Sequence, residues 1–406
     1  MKNRIAVTGI GIVSPLGTEL PAFVNKLLEG VSAAGPITIF NPCKLPTRIA
    51  AQVDENKIPM RTKDRKVGFA ILAARSAIQD AENSGSLLTK DERSGLSIGL
   101  GLELFSMPDM INHLHGNTPA DFDPMEFLQT PSDVCVPRIC KEHQLKAPPL
   151  IHISACSAST DAIGCAFRMI REGKRRWMLA GGTDSMINPM GVGGFCRIQA
   201  MTQRNEEPSK ASRPFDRDRD GFLLGEGAAM LVLESWEEAV ERGARIYAEV
   251  AGYGTSFDAH GISEPHPEGE GAMVAMHRAL KDANVAAEQI TYINAHGTST
   301  PKNDVVETKA IRRVFGKQAE SIPVSSTKSM IGHLISAAGA MEIAAAILCA
   351  QKNFIHPTIN LENPDSGCDL DYVPEGSRKA NVSYFLKNSF AFGGQNSALV
   401  LRNVIE

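Results

Sequence analysis

Three short stretches of this chain carry side chains that can do chemistry, each set among small neighbours. Residues 151–160 read IHISACSAST and offer one thiol, Cys156. Residues 294–301 read NAHGTSTP and place His296 before a glycine. Residues 325–342 read SSTKSMIGHLISAAGAME and set Lys328 and His333 ahead of an Ala/Gly-rich run. A cysteine so placed is filler, half of a disulfide, a metal ligand or a nucleophile.

Cys156 lies between a strand-like run ending at Ile153 and a helix-like run starting at Asp161. At a helix N-terminus the unpaired N–H groups and the positive dipole end favour thiolate over thiol. The thiolate is the form that attacks an acyl carbon. The plain alternative is a buried, small apolar cysteine. His296 and His333 sit in turns open to a substrate, whereas His152, His260, His277 and His356 lack that setting and read as structural. Two histidines with no paired carboxylate make a poor metal site. The eight cysteines include no CxxC pair, and no export signal argues for a disulfide framework.

The elements that must position these residues alternate between short apolar strands and amphipathic helices, which argues an α/β fold. Strands are expected at 5–8, 97–100, 150–153, 177–180, 228–234, 248–254, 291–294 and 398–401. Helices are expected at 68–84, 161–173, 236–242, 271–283, 304–315 and 337–351. Asp304 reads as an N-cap, with Glu307 completing a capping-box-like pair. ISACSAST (153–160) and INAHGTST (293–300) share Ile-x-Ala-(Cys/His)-x-x-Ser-Thr. This echo suggests a duplicated α/β unit that brings a thiol and an imidazole to one end of a sheet.

Composition excludes several classes. A net charge of −4 gives no general attraction to nucleic acid or anionic membrane. The apolar run 337–350 is interrupted by Glu342 and is too short to span a bilayer. The N-terminal run is broken by Gly9 and Gly11 and does not read as a signal peptide, so a cytoplasmic protein is expected. Gly9-x-Gly11 lacks the third glycine of a dinucleotide fingerprint, with Ser14 in its place.

Taken together, RIAVTGIGIVSPLG at the start, AGGTDSMINPMGVGGF (180–195), SRPFDRDRDGFLLGEGA (212–228), INAHGTSTP, SSTKSMIGHLISAAGAME and NSFAFGGQN (388–396) resemble the elongating β-ketoacyl-[acyl-carrier-protein] synthases of the synthase II kind. These belong to the thiolase-like superfamily. The resemblance implies a five-layered αβαβα fold of two similar halves, here about 1–248 and 249–406. It implies a Cys156–His296–His333 triad, Lys328 as supporting lysine with Glu342 as its charge partner, and oxyanion donors from the backbone N–H groups of Cys156 and Phe392.

The implied reaction is a decarboxylating Claisen condensation with no cofactor and no metal. The acyl group arrives on the phosphopantetheine arm of an acyl carrier protein, which Thr298 and Thr300 would contact. Lys63, Arg65, Lys66 and Arg204 match the carrier-docking region of relatives. A homodimer is implied, with the region near 133–136 at its interface; a heterodimer with a chain-length factor is the alternative, as in type II polyketide ketosynthases. Initiating synthases resemble a Cys-His-Asn pattern, degradative thiolases use a second cysteine, and chain-length factors lack the nucleophile. The stretch 100–107 (LGLELFSM), Ala391 and Gln395 depart from the family pattern. Ala391 stands where a glycine usually precedes the gating phenylalanine, so it is expected to restrict that loop if its φ is positive.

Overall fold

The computed structural model describes residues 3–58, 64–101, 115–116 and 131–404. Its main sheet has ten strands: β1 (Ile5–Val13), β2 (Ser94–Leu100), β3 (Leu150–His152), β4 (Trp177–Asp184), β5 (Gly227–Ser235), β6 (Ala248–Phe257), β7 (Ile290–Asn294), β8 (Val324–Ser325), β9 (Tyr384–Phe390) and β10 (Gln395–Asn403). They lie in the order β3-β2-β4-β5-β1-β6-β10-β9-β7-β8.

That order repeats. Counted outward from the middle, β1-β5-β4-β2-β3 matches β6-β10-β9-β7-β8, and in both sets two antiparallel pairings are followed by two parallel ones. The two sets join only where Ile5–Val7 of β1 meets Ala248–Val250 of β6.

Five helices complete the layers. α1 (Arg65–Asn83) covers the outer face of β1, β4 and β5; α3 (Glu270–Ala283) covers β6, β9 and β10, and α4 (Pro301–Phe315) packs beside it. α2 (Ala158–Arg171) and α5 (Ala338–Gln351) lie between the sheet sets and touch strands of both. The result is an αβαβα stack of the thiolase-like kind.

Sequence explains the layering. α5 is apolar on all sides, and every residue from Ala338 to Ala350 is buried, as expected of a helix with no solvent face. Its one charge, Glu342, therefore needs partners in the interior. On the outer faces, a Cβ at Gly9 or Gly11 of β1 would meet the Ala77 or Ala73 carbonyl at 2.2 or 2.1 Å. These glycines admit α1 to the sheet and serve no dinucleotide. Gly252 and Gly254 do the same for α3 in the repeat.

All eight expected strands form, most of them longer than expected, while β8 and β9 went unread. α2 begins at Ala158, ahead of the expected Asp161, because its early hydroxyls are satisfied from outside the helix. Ser159 Oγ accepts from Ala340 N at 3.0 Å, and Thr160 Oγ1 bonds Ser389 Oγ at 2.7 Å. The ISACSAST/INAHGTST echo joins positions that are not equivalent. Cys156 follows β3, whose counterpart is β8, whereas His296 follows β7, whose counterpart is β2. The structural match to the Cys156 turn is the turn before α5, where Ile335 has φ 45° against 46° for Ala155.

Candidate active site

Cys156 sits in a single 3-10 turn, Ala155–Ser157, at the mouth of α2. The preceding Ala155 is held in the left-handed region, a strained place for a residue with a Cβ. The turn presents Sγ to His333, whose Nε2 lies 3.1 Å away. His333 is fixed through its backbone by Leu223 O (2.7 Å from its N) and Gly225 N (3.0 Å from its O). Its ring meets Phe222 edge-on at 5.5 Å. The Ile335 N–H donates to His333 Nδ1 at 3.2 Å, so the neutral ring carries its proton on Nε2.

His296 is held from both sides by charge. Its N–H donates to Glu307 Oε1 at 2.8 Å, and its carbonyl accepts from Lys328 Nζ at 2.6 Å. The same ammonium faces its Nδ1 at 3.4 Å, which again leaves the proton on Nε2. The two imidazoles stand edge to face, 5.4 Å apart, and one nitrogen of each lies with Cys156 Sγ inside a 4.8 Å cluster. Lys328 pairs with Glu342 Oε1 at 2.5 Å, and Glu342 Oε2 pairs with a second ammonium, Lys387 Nζ, at 2.8 Å. Cys156, His296, His333, Glu307, Lys328, Glu342 and Lys387 are all buried.

This burial sets the charges. Both histidines are pushed well below the ordinary imidazole range, first by desolvation and then by the Lys328 charge, with Lys387 adding to it. The Cys156 thiol is pushed up to about 12 by desolvation, although Lys328 and the N–H groups of Phe392 and Cys156 itself pull the other way. The helix-end position expected from sequence is real, but its expected consequence is reversed. Burial outweighs the dipole, and the resting group is a thiol. The N–H groups of Cys156 and Phe392 thus both favour negative charge at this position.

Residues 2–239 match the family described as "Beta-ketoacyl synthase, N-terminal domain", and residues 247–362 match the corresponding C-terminal domain. The chain belongs to the β-ketoacyl synthase family. It is 41% identical over 415 residues, covering all of both chains, to the 3-oxoacyl-[acyl-carrier-protein] synthase 2 of Coxiella burnetii. Among solved structures it is similar to a type II polyketide ketosynthase in complex with its acyl-carrier protein and bound to the hexaketide. There the TM-score is 0.89 and the identity 32%, with both chains fully covered. The ishigamide ketosynthase/chain length factor gives a TM-score of 0.88 at 34% identity, also with full coverage of both.

Other residues singled out from this ketosynthase's sequence fall in different places. Asp304 is not an N-cap. Thr300 holds that position with Pro301 first in the helix, which leaves Asp304 a turn inside α4. There it accepts from the N–H groups of Phe215 (2.8 Å), Thr298 (3.0 Å) and Ser299 (3.2 Å). Glu307, likewise, accepts from His296, from Gly297 (2.8 Å) and from Asn388 Nδ2 (3.1 Å). The two acids hold the 296–299 loop rather than the helix end, because that loop's donors have no strand partner. Thr298 and Thr300 share a hydrogen bond of 2.8 Å between their hydroxyls.

Lys66 is buried and paired with Asp64, so it is not a docking residue. Arg65 is turned inward onto Glu226, Glu55 and the Val53 carbonyl, which takes it too from the docking set. Arg204 remains half exposed beside Asp220, while Lys63 lies outside the described residues, as does the 102–107 part of the divergent stretch. Ala391 is not among the non-glycine residues with positive φ; Gly393 (87°) and Gly394 (83°) take those conformations instead. The expected strain at Ala391 is therefore absent. Lys387 was missed altogether, and Asn388 was read only as part of the NSFAFGGQN motif. Their signal was a polar pair inside an apolar run beside the Gly-Gly loop.

Proposed function

We propose that this chain is a 3-oxoacyl-[acyl-carrier-protein] synthase that condenses a Cys156-bound acyl group with malonyl carrier in fatty-acid elongation. The observation that carries the reading is the thiol 3.1 Å from a histidine whose proton is fixed on the facing nitrogen, with a second neutral histidine alongside. The acyl and malonyl groups come on the phosphopantetheine arm of a carrier protein. The Thr298–Thr300 hydroxyl pair beside His296 suits the amides of that arm, and Arg204 suits an acidic carrier.

The chemistry follows from the geometry. Cys156 Sγ bonds the acyl carbon, the carrier C–S bond breaks, and the thiol proton ends on the departing carrier thiol. The N–H groups of Cys156 and Phe392 hold the oxyanion in this step. Malonyl carrier then loses carbon dioxide. The electron pair of the broken C–C bond passes into an enolate, whose oxygen receives hydrogen bonds from His296 and His333. Neutral imidazoles serve here as donors, and no base is required. The enolate carbon attacks the acyl carbon, the acyl C–S bond breaks, and Cys156 leaves as thiolate and takes one proton from solvent. Lys328 and Glu342 support the histidines, and Asp304 and Glu307 support their loop.

Mass spectrometry of the pure chain with acyl carrier and then malonyl carrier tests the reading. Acyl mass on Cys156, followed by carbon dioxide and a product two carbons longer, is expected. A folded Cys156→Ala variant that still condenses would refute it. The second reading, a type II polyketide ketosynthase, is supported by the similarity to the type II polyketide ketosynthase and to the ishigamide ketosynthase/chain length factor.

The chain is divided into halves at 1–248 and 249–406, with the nucleophile in the first and the histidines in the second. It acts as a cytoplasmic homodimer. Edge strand β3 supports this: among the described residues its outer edge has no partner strand, and Ile151 and nearby Ile153 and Phe257 are exposed apolar side chains. Among the described residues no helix is long and apolar enough to cross a membrane. Sedimentation separates the cases. A dimer of one chain is expected, whereas an inactive monomer restored by a second protein favours the chain-length-factor pairing.

A further inference from the structure

Glu342 is shared. Lys328 holds one of its oxygens and Lys387 the other, at 2.5 and 2.8 Å. Lys387 comes from the middle of β9, where a charged residue is out of place unless it has partners. Along that strand Phe385 packs in the central core with α5, while Leu386 and Phe390 face the outer helices. Alternation places Lys387 on the α5 side, and its ammonium also donates to the Asn388 carbonyl. Lys387 thus reaches His296 through a chain of charged contacts, from Lys387 to Glu342 to Lys328 to the His296 carbonyl.

We propose that Lys387 is a positioning residue of the condensation step: by offsetting Glu342 it leaves the Lys328 ammonium as an uncompensated positive charge beside His296 and His333. The proposal rests on the synthase reading above. With Lys387 charged, two ammonium groups face the single Glu342 carboxylate. The remaining acid, Glu307 from α4, is already engaged by three N–H donors. The enolate then forms in a site of favourable sign. When Lys387 loses its proton, Glu342 cancels Lys328 and that advantage goes.

Burial lowers the Lys387 ammonium to about 8, against the attraction of Glu342 and with the repulsion of Lys328. Glu307 attracts it as well. Its folded value is depressed, so the positive charge is present below about pH 8 and is lost as pH rises through it. Decarboxylation should fall over the same range, while Cys156, lying beyond Lys328, is less affected.

The test compares the wild type with Lys387→Met and Lys387→Arg from pH 6 to 9.5. One arm follows carbon dioxide release from malonyl carrier. The other follows the imidazole ¹⁵N signals of His296 and His333, which need no turnover. In the wild type, release should decline and both histidine signals should shift with a midpoint near pH 8. In the Met variant both transitions should vanish and release at pH 7 should fall on the order of tenfold, the effect of one nearby unit charge. The Arg variant should keep activity and lose the alkaline decline, because guanidinium stays charged throughout.

Histidine shifts that persist unchanged in either folded variant, or that are absent from the wild type, would overturn the proposal. If the Met variant does not fold, the Arg variant decides alone: a persisting decline near pH 8 counts against Lys387, and its loss counts for it. A wild type that releases no carbon dioxide refutes the synthase reading, and the histidine signals still decide the role of the lysine.

Discussion

A buried thiol near pKa 12 makes a specific forecast about alkylation of the free protein. At pH 8 such a group is about one part in ten thousand thiolate, against about one in ten for an ordinary thiol at 9.0. That alone would slow iodoacetamide about a thousandfold. A more basic thiolate is also a better nucleophile. With a Brønsted slope of about 0.4–0.5, three units return roughly twentyfold, so the net expectation is a rate about 50-fold below a model thiol.

The assay is peptide mass spectrometry of carbamidomethylated Cys156 over pH 6.5–9.5. The rate should climb about tenfold per pH unit with no plateau. Lys328→Met should lower the whole line, because the Lys328 charge is the leading influence that favours thiolate. A plateau with a midpoint below pH 8 would refute the argument. It would mean that the helix end and the N–H groups of Cys156 and Phe392 outweigh burial after all. The linkage has a stability consequence too. The unfolded chain releases this proton near 9.0 and the folded chain near 12, so stability falls as pH rises between them.

Other outcomes follow from the same geometry. His296→Ala and His333→Ala should still accept an acyl group on Cys156 but release carbon dioxide slowly. Each loses up to about 3–4 kcal/mol of transition-state stabilisation, and normal release in both would remove the enolate role. Glu307→Gln should cost about 2–4 kcal/mol in urea unfolding, because its amide nitrogen would face a loop N–H that now has a carboxylate acceptor; an unchanged midpoint would show that the loop holds itself. Ala391→Gly should leave acyl loading unchanged across a chain-length series, since Ala391 does not occupy the left-handed region. Faster loading of long chains would restore a gating role for that residue.

Periodicity and small-residue turns were enough to find eight of the ten strands of the main sheet and the three turns that meet at the candidate site. They failed where tertiary contacts override local pattern. β9 reads YFLKNSF, and its Lys-Asn-Ser centre hides a buried strand, because the Lys387 ammonium, the Asn388 amide nitrogen and the Ser389 hydroxyl meet Glu342, Glu307 and Thr160 from three separate helices. Asp304 looked like a cap because Asp favours that position. Thr300-Pro301 was the helix-start signal passed over, and the fold shows that Asp304 turns back to the 298–299 loop instead. The sign of the Cys156 shift was out of reach for a related reason. A helix end can be read from residue types, whereas the desolvation that outweighs it depends on what the rest of the chain packs around the thiol.

The repeat clarifies why one site results from two similar halves. The turns before α2 and α5 share a left-handed residue, Ala155 or Ile335, and each is followed by the residue that could serve as nucleophile, Cys156 or Ser336. Ser336 is occupied: its hydroxyl lies 2.8 Å from the Thr183 carbonyl and 2.7 Å from Asp184 Oδ2, with its one proton directed to these acceptors. It braces the opposite half. At the equivalent step along the helices, Ala162 of α2 corresponds to Glu342 of α5. The first half therefore supplies an apolar wall behind its thiol, while the second buries the carboxylate that holds two ammonium groups. A thiol in a low-dielectric wall keeps its proton, and the charges gathered on the other side lie next to the two imidazoles; in the reaction proposed above the first suits acyl transfer and the second the enolate. Separating the two tasks onto opposite copies of one turn lets each environment be set without spoiling the other.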